Sequence, residues 1–252
     1  MKNFNPINQT TLNKIKEYCL INKNQESCGF IYKNNNILNI YKCKNIASDA
    51  KKFFLINDED YEKCSFKGEI ICCFHSHIND KGFSAEDISN SLSNEISYLM
   101  YNIKQDEFYF FDYNKYSYYK KYIGLPYNDR INDCWSTLSR FYYDQLGLKI
   151  PDPEQSRTNF SWDYQLRKAW GESVDLLRVE PTPKTLRELK TYDLLICKDI
   201  KDKEPAYGCI YLGNGLILHQ AHHKPSKIES IRKGHIKLLA YVGRFNKKLD
   251  IQ

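Results

Sequence analysis

Two histidines one residue apart, His75 and His77, follow the apolar run Ile70-Ile71-Cys72-Cys73-Phe74, and a carboxylate, Asp87, comes ten residues after the second. The run is short and β-prone, as expected of a buried strand that ends where the histidines begin. Side chains alternate along a strand, so both imidazoles project from one face at its C-terminal end. Gly82 supplies a turn, and Ser84-Ala85-Glu86-Asp87 has the pattern of a helix start ahead of the amphipathic run Ile88, Leu92, Ile96. Asp87 can then reach back toward the histidines. Two neutral imidazoles and a carboxylate are the three-ligand set of a catalytic zinc site, with one tetrahedral position left open for water. Two plainer readings stay open: Ser84 to Asp87 as nothing more than a helix capping box, and His-x-His as a packed or solvated strand edge.

A second candidate chemistry lies further on. Trp135, Leu138, Tyr142 and Gln145 recur at helical spacing after Ile131-Asn132-Asp133-Cys134, and Gly147 closes the run. Cys134 therefore sits at a helix N-terminus, where the dipole and free amide groups favour a thiolate. The other eight cysteines lack this setting, and most fall inside apolar strand patterns. Downstream, Tyr207 to His219 reads as a hairpin through Gly213-Asn214-Gly215. A two-residue Asn214-Gly215 turn would pair His219 with Ile210. A three-residue turn with Gly215 left-handed pairs it with Cys209, and only this register brings Tyr207 and His219 to one face.

Several elements must position these residues. The spacing predicts a helix over Thr11 to Leu20, then strands Cys28 to Tyr32 and Ile37 to Cys43 joined by the turn-rich Lys33-Asn34-Asn35-Asn36. A strand over Phe53 to Ile56 and a short acidic helix from Asp58 are expected before the histidine strand. Strands over Ile96 to Tyr101 and Glu107 to Tyr113 follow the Ser84 helix. Tyr113 to Tyr122 has no apolar periodicity and reads as the linker, with the domain boundary near Lys120. Beyond it come the Cys134 helix, a strand over Asp193 to Cys197, a charged loop from Lys198 to Pro205, and the hairpin. The whole is α+β in two domains, residues 1–119 and 120–252.

At 252 residues with 42% hydrophobic and 14% aromatic content, the chain can bury two modest cores and is not a disordered one. No apolar run approaches the ~18 residues of a membrane span, and the first residues lack the apolar core of a signal peptide, so no membrane insertion is expected. Nine cysteines without a Cys-x-x-Cys pair do not form a disulfide framework, which points to synthesis in a reducing cytoplasm. The net charge of +6 divides unevenly: through Asp112, 13 Lys against 15 Asp and Glu give −2, and the remaining 24 basic against 16 acidic residues give +8. A basic second half is compatible with an anionic partner such as cell-wall polymer or nucleic acid, but scattered solvated lysines on a lysine-rich background are the plainer and preferred reading. The basic residues show no compact cluster interleaved with stacking aromatics, so nucleic acid is not an expected partner.

The first half resembles the JAMM (MPN-type) metallopeptidases, whose pattern is an upstream Glu, His-x-His, a short loop and Ser-x-x-Asp. The resemblance runs from about Thr10 to Tyr113 and implies a cytidine-deaminase-like mixed sheet with flanking helices. It implies that His75, His77 and Asp87 bind Zn²⁺, that Glu26 in Glu26-Ser27-Cys28-Gly29-Phe30 is the general base, and that Ser84 helps stabilise an oxyanion. This chain departs from the pattern at Ile78, where a proline is usual, and in a loop of six residues rather than seven before Ser84.

The second half resembles the NlpC-type, papain-like cell-wall peptidases in Gly124-Leu125-Pro126-Tyr127, Asp133-Cys134-Trp135, Asp193-Leu194-Leu195 and Ile210-Tyr211-Leu212-Gly213. That resemblance implies a papain-like α+β fold, with Cys134 as nucleophile and His219 as the third polar residue. The family's basic histidine falls on Tyr207, and a phenol of pKa ~10 is a poor base for a thiol. A weak or inactive peptidase is the expectation, with His219 as a direct base, or His222, His223 or His235 as stand-ins, left open. The two halves in this order, with Cys43-Lys44-Asn45-Ile46-Ala47 and Asn57-Asp58-Glu59-Asp60-Tyr61, resemble the tail-tip assembly proteins of lambda-like phages. This implies other tail-tip proteins and peptidoglycan as partners, and a location in the host cytoplasm and then in the virion tail tip. Three readings remain: a zinc peptidase with a binding module, a bifunctional hydrolase, and a structural tail-tip component with zinc as a staple.

Overall fold

The computed structural model describes residues 7–78, 82–129, 131–150, 174–178, 187–198 and 205–245, a mixed α/β chain in two compact units, residues 1–120 and 121–252. Each unit has its own sheet. Among the described residues no helix is long and apolar enough to cross a membrane.

In the first unit α1 (Gln9–Ile21) starts at Asn8, whose side chain accepts the Thr11 N–H at 2.9 Å. Strands β1 (Cys28–Asn34) and β2 (Ile37–Cys43) form a hairpin. Asn35 and Asn36 turn it with φ of 48° and 62°, the paired positive values that match the right-handed twist of the strands. The acidic helix α2 (Asp58–Ser65) precedes β3 (Glu69–His77), which lies at the centre of the order β2-β1-β3-β4-β5. Helix α3 (Ala85–Ser93) connects β3 to its parallel neighbour β4 (Ser97–Asn102), and β5 (Glu107–Phe111) closes the edge antiparallel.

Alternation decides what each face of β3 does. Cys72 and Phe74 are buried in one core with Leu12, Ile15 and Cys19 of α1, while His75 and His77 belong to the opposite parity. Gly29 on β1 is Phe74's strand partner. A Cβ there would sit 2.7 Å from the Phe74 ring, so the ring crosses β1 only because position 29 has no side chain.

One sequence expectation fails in this unit. Phe53 to Ile56 is not a strand, and Phe53 and Leu55 are exposed. The buried Asn45 does for this segment what a neighbouring strand would: its Nδ2 donates to the carbonyls of Phe53 and Glu26, both at 2.9 Å, and its Oδ1 accepts the N–H groups of Ala47 (3.0 Å) and Leu55 (3.1 Å). The segment expected as the linker runs up to the division between the units and is helical, as α4 (Tyr113–Tyr116) followed by a 3-10 helix (Ser117–Tyr122). Tyr116, Tyr119 and Tyr122 are buried at a spacing of three, the repeat of a 3-10 helix, which neither the α nor the β template detects.

In the second unit α5 (Cys134–Leu146) ends at Gly147 with φ 69°. The antiparallel sheet has the order β10-β9-β8-β7-β11-β6, made of β6 (Val174–Arg178), β7 (Leu194–Lys198), β8 (Pro205–Gly213), β9 (Leu216–His219), β10 (Lys227–Ser230) and β11 (Leu239–Phe245). A short helix, α6 (Lys233–Leu238), leads into β11. Helix α5 packs on β8. The hairpin pairs Cys209 with His219, the register of the longer turn. Gly213, Asn214 and Gly215 all have positive φ, and the extra residue is absorbed as an irregularity between Tyr211 and Gly213. Residues 79–81 of the loop after the histidines and 199–204 of the expected charged loop lie outside the described residues.

Candidate metal centre and candidate thiol site

Strand β3 delivers His75 and His77, both buried, with their Nε2 atoms 3.1 Å apart. The turn into α3 delivers Asp87. The Ser84 Oγ accepts the Asp87 N–H at 3.1 Å, and the Ser84 N–H donates to Asp87 Oδ2 at 2.8 Å, so the capping box is present. That box aims the carboxylate at the imidazoles: Oδ1 lies 3.4 Å from His75 Nε2, and Oδ2 lies 3.3 Å from His77 Nε2. The capping box is thus present and also turns the carboxylate toward the imidazoles.

Burial disfavours ionisation of Asp87, but the adjacent His75 and His77 outweigh it and hold the carboxyl well below its usual range. Burial pulls the His75 pKa down against the pull of Asp87, which keeps the ring neutral and its lone pair available. For bonds of 2.0–2.1 Å, the edge of a tetrahedron about a metal ion is roughly 3.3 Å. The two imidazole nitrogens, 3.1 Å apart, are close to such an edge, and the Asp87 carboxylate brings Oδ1 to 3.4 Å from one of them and Oδ2 to 3.3 Å from the other, so the donor set fits Zn²⁺.

Glu26, just before β1, is 4% exposed, with its Oε1 3.8 Å from His77 Nε2. Its backbone is fixed on both sides: the N–H donates to Ala50 O at 2.7 Å, and the carbonyl accepts from Asn45. The same asparagine holds Phe53 and Leu55 and so places Phe54, which stacks on His75 with ring centroids 4.5 Å apart. His75 Nδ1 has no hydrogen-bond partner among the described residues. The partner that usually orients a ligating imidazole is therefore replaced by an aromatic face. Sequence reasoning assigned Phe54 to a strand and, although Asn45 lies in the matching stretch Cys43 to Ala47, gave that asparagine no structural role.

The second site begins at Asp133, buried, whose Oδ1 accepts both the N–H and the hydroxyl of Ser136 at 2.9 Å as the cap of α5. Cys134 follows as the one cysteine of nine that is not buried. One turn on, Thr137 donates to the Gln220 side-chain oxygen at 2.9 Å, which ties the start of α5 to the residue after His219. Burial, with Cys197 and Cys209 beside it, pushes the Tyr207 hydroxyl far up, so the phenol stays protonated.

His219 shares a face with Tyr207 and Cys209, as the register implies, and has a further partner that the sequence did not suggest. Its Nε2 lies 2.8 Å from Glu229 Oε1 on β10, and both residues are buried. Burial opposes the Glu229 charge, but contacts with His219 and Lys227 bring its pKa down to about 2. Lys227 Nζ and an Arg232 guanidinium nitrogen each lie 2.9 Å from the carboxylate. His219 Nε2 is therefore the donor, and its Nδ1, buried and without a hydrogen-bond partner among the described residues, is left with a lone pair.

His235 completes a cluster with His219 and Glu229 whose donor atoms lie within 4.8 Å of one another. This cluster does not suit a cation. His235 Nδ1 accepts the Arg232 N–H at 3.0 Å, which puts the ring hydrogen on Nε2, the atom facing Glu229, and Lys227 and Arg232 already balance the carboxylate. Burial and the His219 charge push the His235 pKa down to about 4. His222 and His223 are exposed and pack edge-on against Tyr127, at 5.0 and 5.2 Å. Glu229 escaped the sequence reading, although Lys227-Ile228-Glu229-Ser230 alternates as a strand beside β9 would.

No family model matches this chain, and no curated protein matches it. Some solved structures are similar to this chain. Among them is an NlpC/P60 family protein from Bacillus cereus ATCC 10987, determined at 1.79 Å, with a TM-score of 0.34 and 14% sequence identity. The match covers 91% of this chain and 66% of that one, so this chain spans about two thirds of that neighbour's length.

Proposed function

We propose that the first unit is a zinc-dependent hydrolase of peptide or isopeptide bonds, with His75, His77 and Asp87 as the metal ligands. The observation that carries this reading is the convergence of two imidazole nitrogens 3.1 Å apart on the two oxygens of one carboxylate, at 3.4 and 3.3 Å, in a buried site beside a second carboxylate. When bound, such an ion supplies Lewis acidity and makes water acidic enough to ionise near neutral pH.

The remaining work belongs to the protein. Glu26, held at its backbone by Ala50 and Asn45, accepts a proton from water and returns it to the leaving amine. Ser84 spends its oxygen lone pair on the Asp87 N–H and keeps its hydroxyl hydrogen to donate to a developing oxyanion. Phe54 and Tyr98 wall the His75 side with apolar surface, which strengthens every electrostatic contact inside.

The order of the two motif sets supports a wider proposal: a tail-tip component of a lambda-like phage, made in the host cytoplasm and carried into the virion with other tail-tip proteins, whose second unit faces peptidoglycan. Metal analysis of the purified chain, joined to cleavage of a peptide library, tests the hydrolase. One zinc per chain is expected in wild type and in Glu26→Gln, and little in His75→Ala, His77→Ala or Asp87→Ala. Library cleavage should be seen with wild type and not with Glu26→Gln. Zinc retained after all three ligands are removed, or cleavage unchanged in Glu26→Gln, would overturn the reading.

A further inference from the structure

We propose that the first unit binds a small phosphate monoester in a cavity between the start of α1 and the β1–β2 turn, with Lys14 and Lys33 on the phosphate and Glu69 on a hydroxyl or amine of the body that carries it. Glu69 opens β3 and His77 ends it, so this cavity lies at the other end of the strand from the metal ligands and does not depend on them.

The cavity has a volume of about 630 Å³, within the range of small-molecule sites. One wall is the first turn of α1, with Thr10, Thr11 and Lys14. Residues three and four apart share a helix face, which is why Lys14 stands beside both threonines. The facing wall is the sheet, with Lys33, Leu38 and Glu69 from three neighbouring strands. Glu69 is there because of a bulge. Ile31 pairs with Cys72 and Tyr32 with Ile70, which leaves Ile71 as an extra residue in β3. Simple alternation would send Glu69 to the face of His75 and His77. The extra residue turns it instead to the α1 face, opposite its strand partner Lys33.

The polar groups around this space are uncommitted. Thr11 is 3% exposed and lines the cavity, and its hydroxyl makes no hydrogen bond among the described residues. A hydroxyl shut off from the outer surface but open to a cavity donates to whatever fills it. Asn8 takes the Thr11 N–H on its side chain and the Leu12 N–H on its carbonyl, so the amides left over at the helix start are those of Gln9 and Thr10. No acidic side chain in that turn balances the positive end of the helix. Lys14, Lys33 and Glu69 make no ion pair among the described residues, although Lys33 and Glu69 are strand partners.

Two ammonium groups and a helix start against one carboxylate leave the cavity positive, the balance that suits a dianion and not a cation or a single carboxylate. A phosphate monoester carries close to two negative charges at neutral pH. The apolar side of its body rests on Ile37, Leu38 and Ile71, and its donor group meets Glu69.

Phosphorus NMR titration of the full chain with ribose 5-phosphate, phosphoethanolamine and inorganic phosphate tests this. At least one of the two esters should bind, and comparing them separates a hydroxylated body from an aminated one. Lys14→Ala and Lys33→Ala should each weaken that binding about ten-fold or more, the usual size of a lost charge-assisted contact. Thr11→Val, which keeps the shape and removes the donor, should weaken it several-fold. Glu69→Gln should weaken the ester and leave inorganic phosphate unchanged. Both lysines are exposed, so their variants should melt as wild type does, and lost binding then reports the site and not the fold. Binding of neither ester up to about 10 mM would overturn the proposal. So would an ester affinity unchanged in the folded double variant Lys14→Ala, Lys33→Ala, or inorganic phosphate bound as tightly as both esters.

Discussion

Phe54 lies flat against His75, with the two rings 4.5 Å apart and 20° from parallel. The contact holds an imidazole whose Nδ1 has no hydrogen bond to orient it among the described residues, so the ring face does what a carboxylate or carbonyl does for most ligating histidines. Phe54→Ala should leave the fold intact and weaken zinc binding by about ten-fold, the lower end of what loss of an orienting partner causes. A competition titration with a zinc-selective chelator reads it, and unchanged affinity would show that packing around His75 is enough without the stack.

Asn45 joins segments that share no strand pairing. Asn45→Ala leaves the carbonyls of Glu26 and Phe53 and the N–H of Leu55 without their partner, and should lower stability by roughly 2–4 kcal/mol. Because Glu26 and Phe54 hang on the same side chain, zinc affinity should fall with it. Urea unfolding followed by far-ultraviolet circular dichroism measures the first effect. A loss below about 0.5 kcal/mol would mean that water replaces the asparagine.

Gly29→Ala should be among the most damaging single changes in the first unit. The new Cβ would meet the Phe74 ring at 2.7 Å and crowd the Tyr41 backbone carbonyl, and neither a central ring nor a strand carbonyl can step aside cheaply. A drop of about 3 kcal/mol or failure to accumulate as soluble protein is expected. A melting temperature within a degree or two of wild type would contradict the packing described.

The second unit should be acid-labile. Glu229 titrates at about 2 instead of 4.5, and His235 at about 4 instead of 6.5, in a cluster faced by His219, Lys227, Arg232, Tyr207 and Cys209. The unfolded chain binds a proton at each group before the folded one does, so stability present above pH 6.5 is lost as pH falls, first through His235 and below 4.5 through Glu229. Each shift corresponds to about 3 kcal/mol at most. Melting temperature recorded from pH 8 to pH 3 should hold above about pH 6.5 and fall below it, and Glu229→Gln should flatten the part below 4.5. An unchanged slope there would remove Glu229 from the account.

What the sequence made legible was local. The alternation that puts His75 and His77 on one face, the Ser84–Asp87 box, the cap at Asp133 and the asparagine turn at 35–36 each depend on residues within one turn or one strand. What it hid depends on partners far apart in the chain. Asn45 reaches Glu26, 19 residues back, and Leu55, ten ahead, through side-chain hydrogen bonds that leave no periodic trace. Glu229 meets His219 only because β10 pairs with β9. The tyrosines at 116, 119 and 122 were hidden for another reason: a period of three is that of neither common element.

Eight of the nine thiols are sealed away, and burial pushes those of Cys19 and Cys28 up to about 12 and Cys64 up to about 11. Peroxide reacts with thiolates it can reach, so toward an oxidant this cysteine-rich chain behaves as though it had a single sulfur. Oxidative ageing is then a one-site event. A sulfenic acid at Cys134 has no exposed neighbour among the chain's own cysteines with which to close a disulfide, so it persists, advances to sulfinic acid, or couples to an external thiol such as that of a second copy. Storage under air should thus yield either a mass gain confined to the Cys134 peptide or a dimer that a reductant dissolves, while the sheets and their buried sulfurs stay as they were.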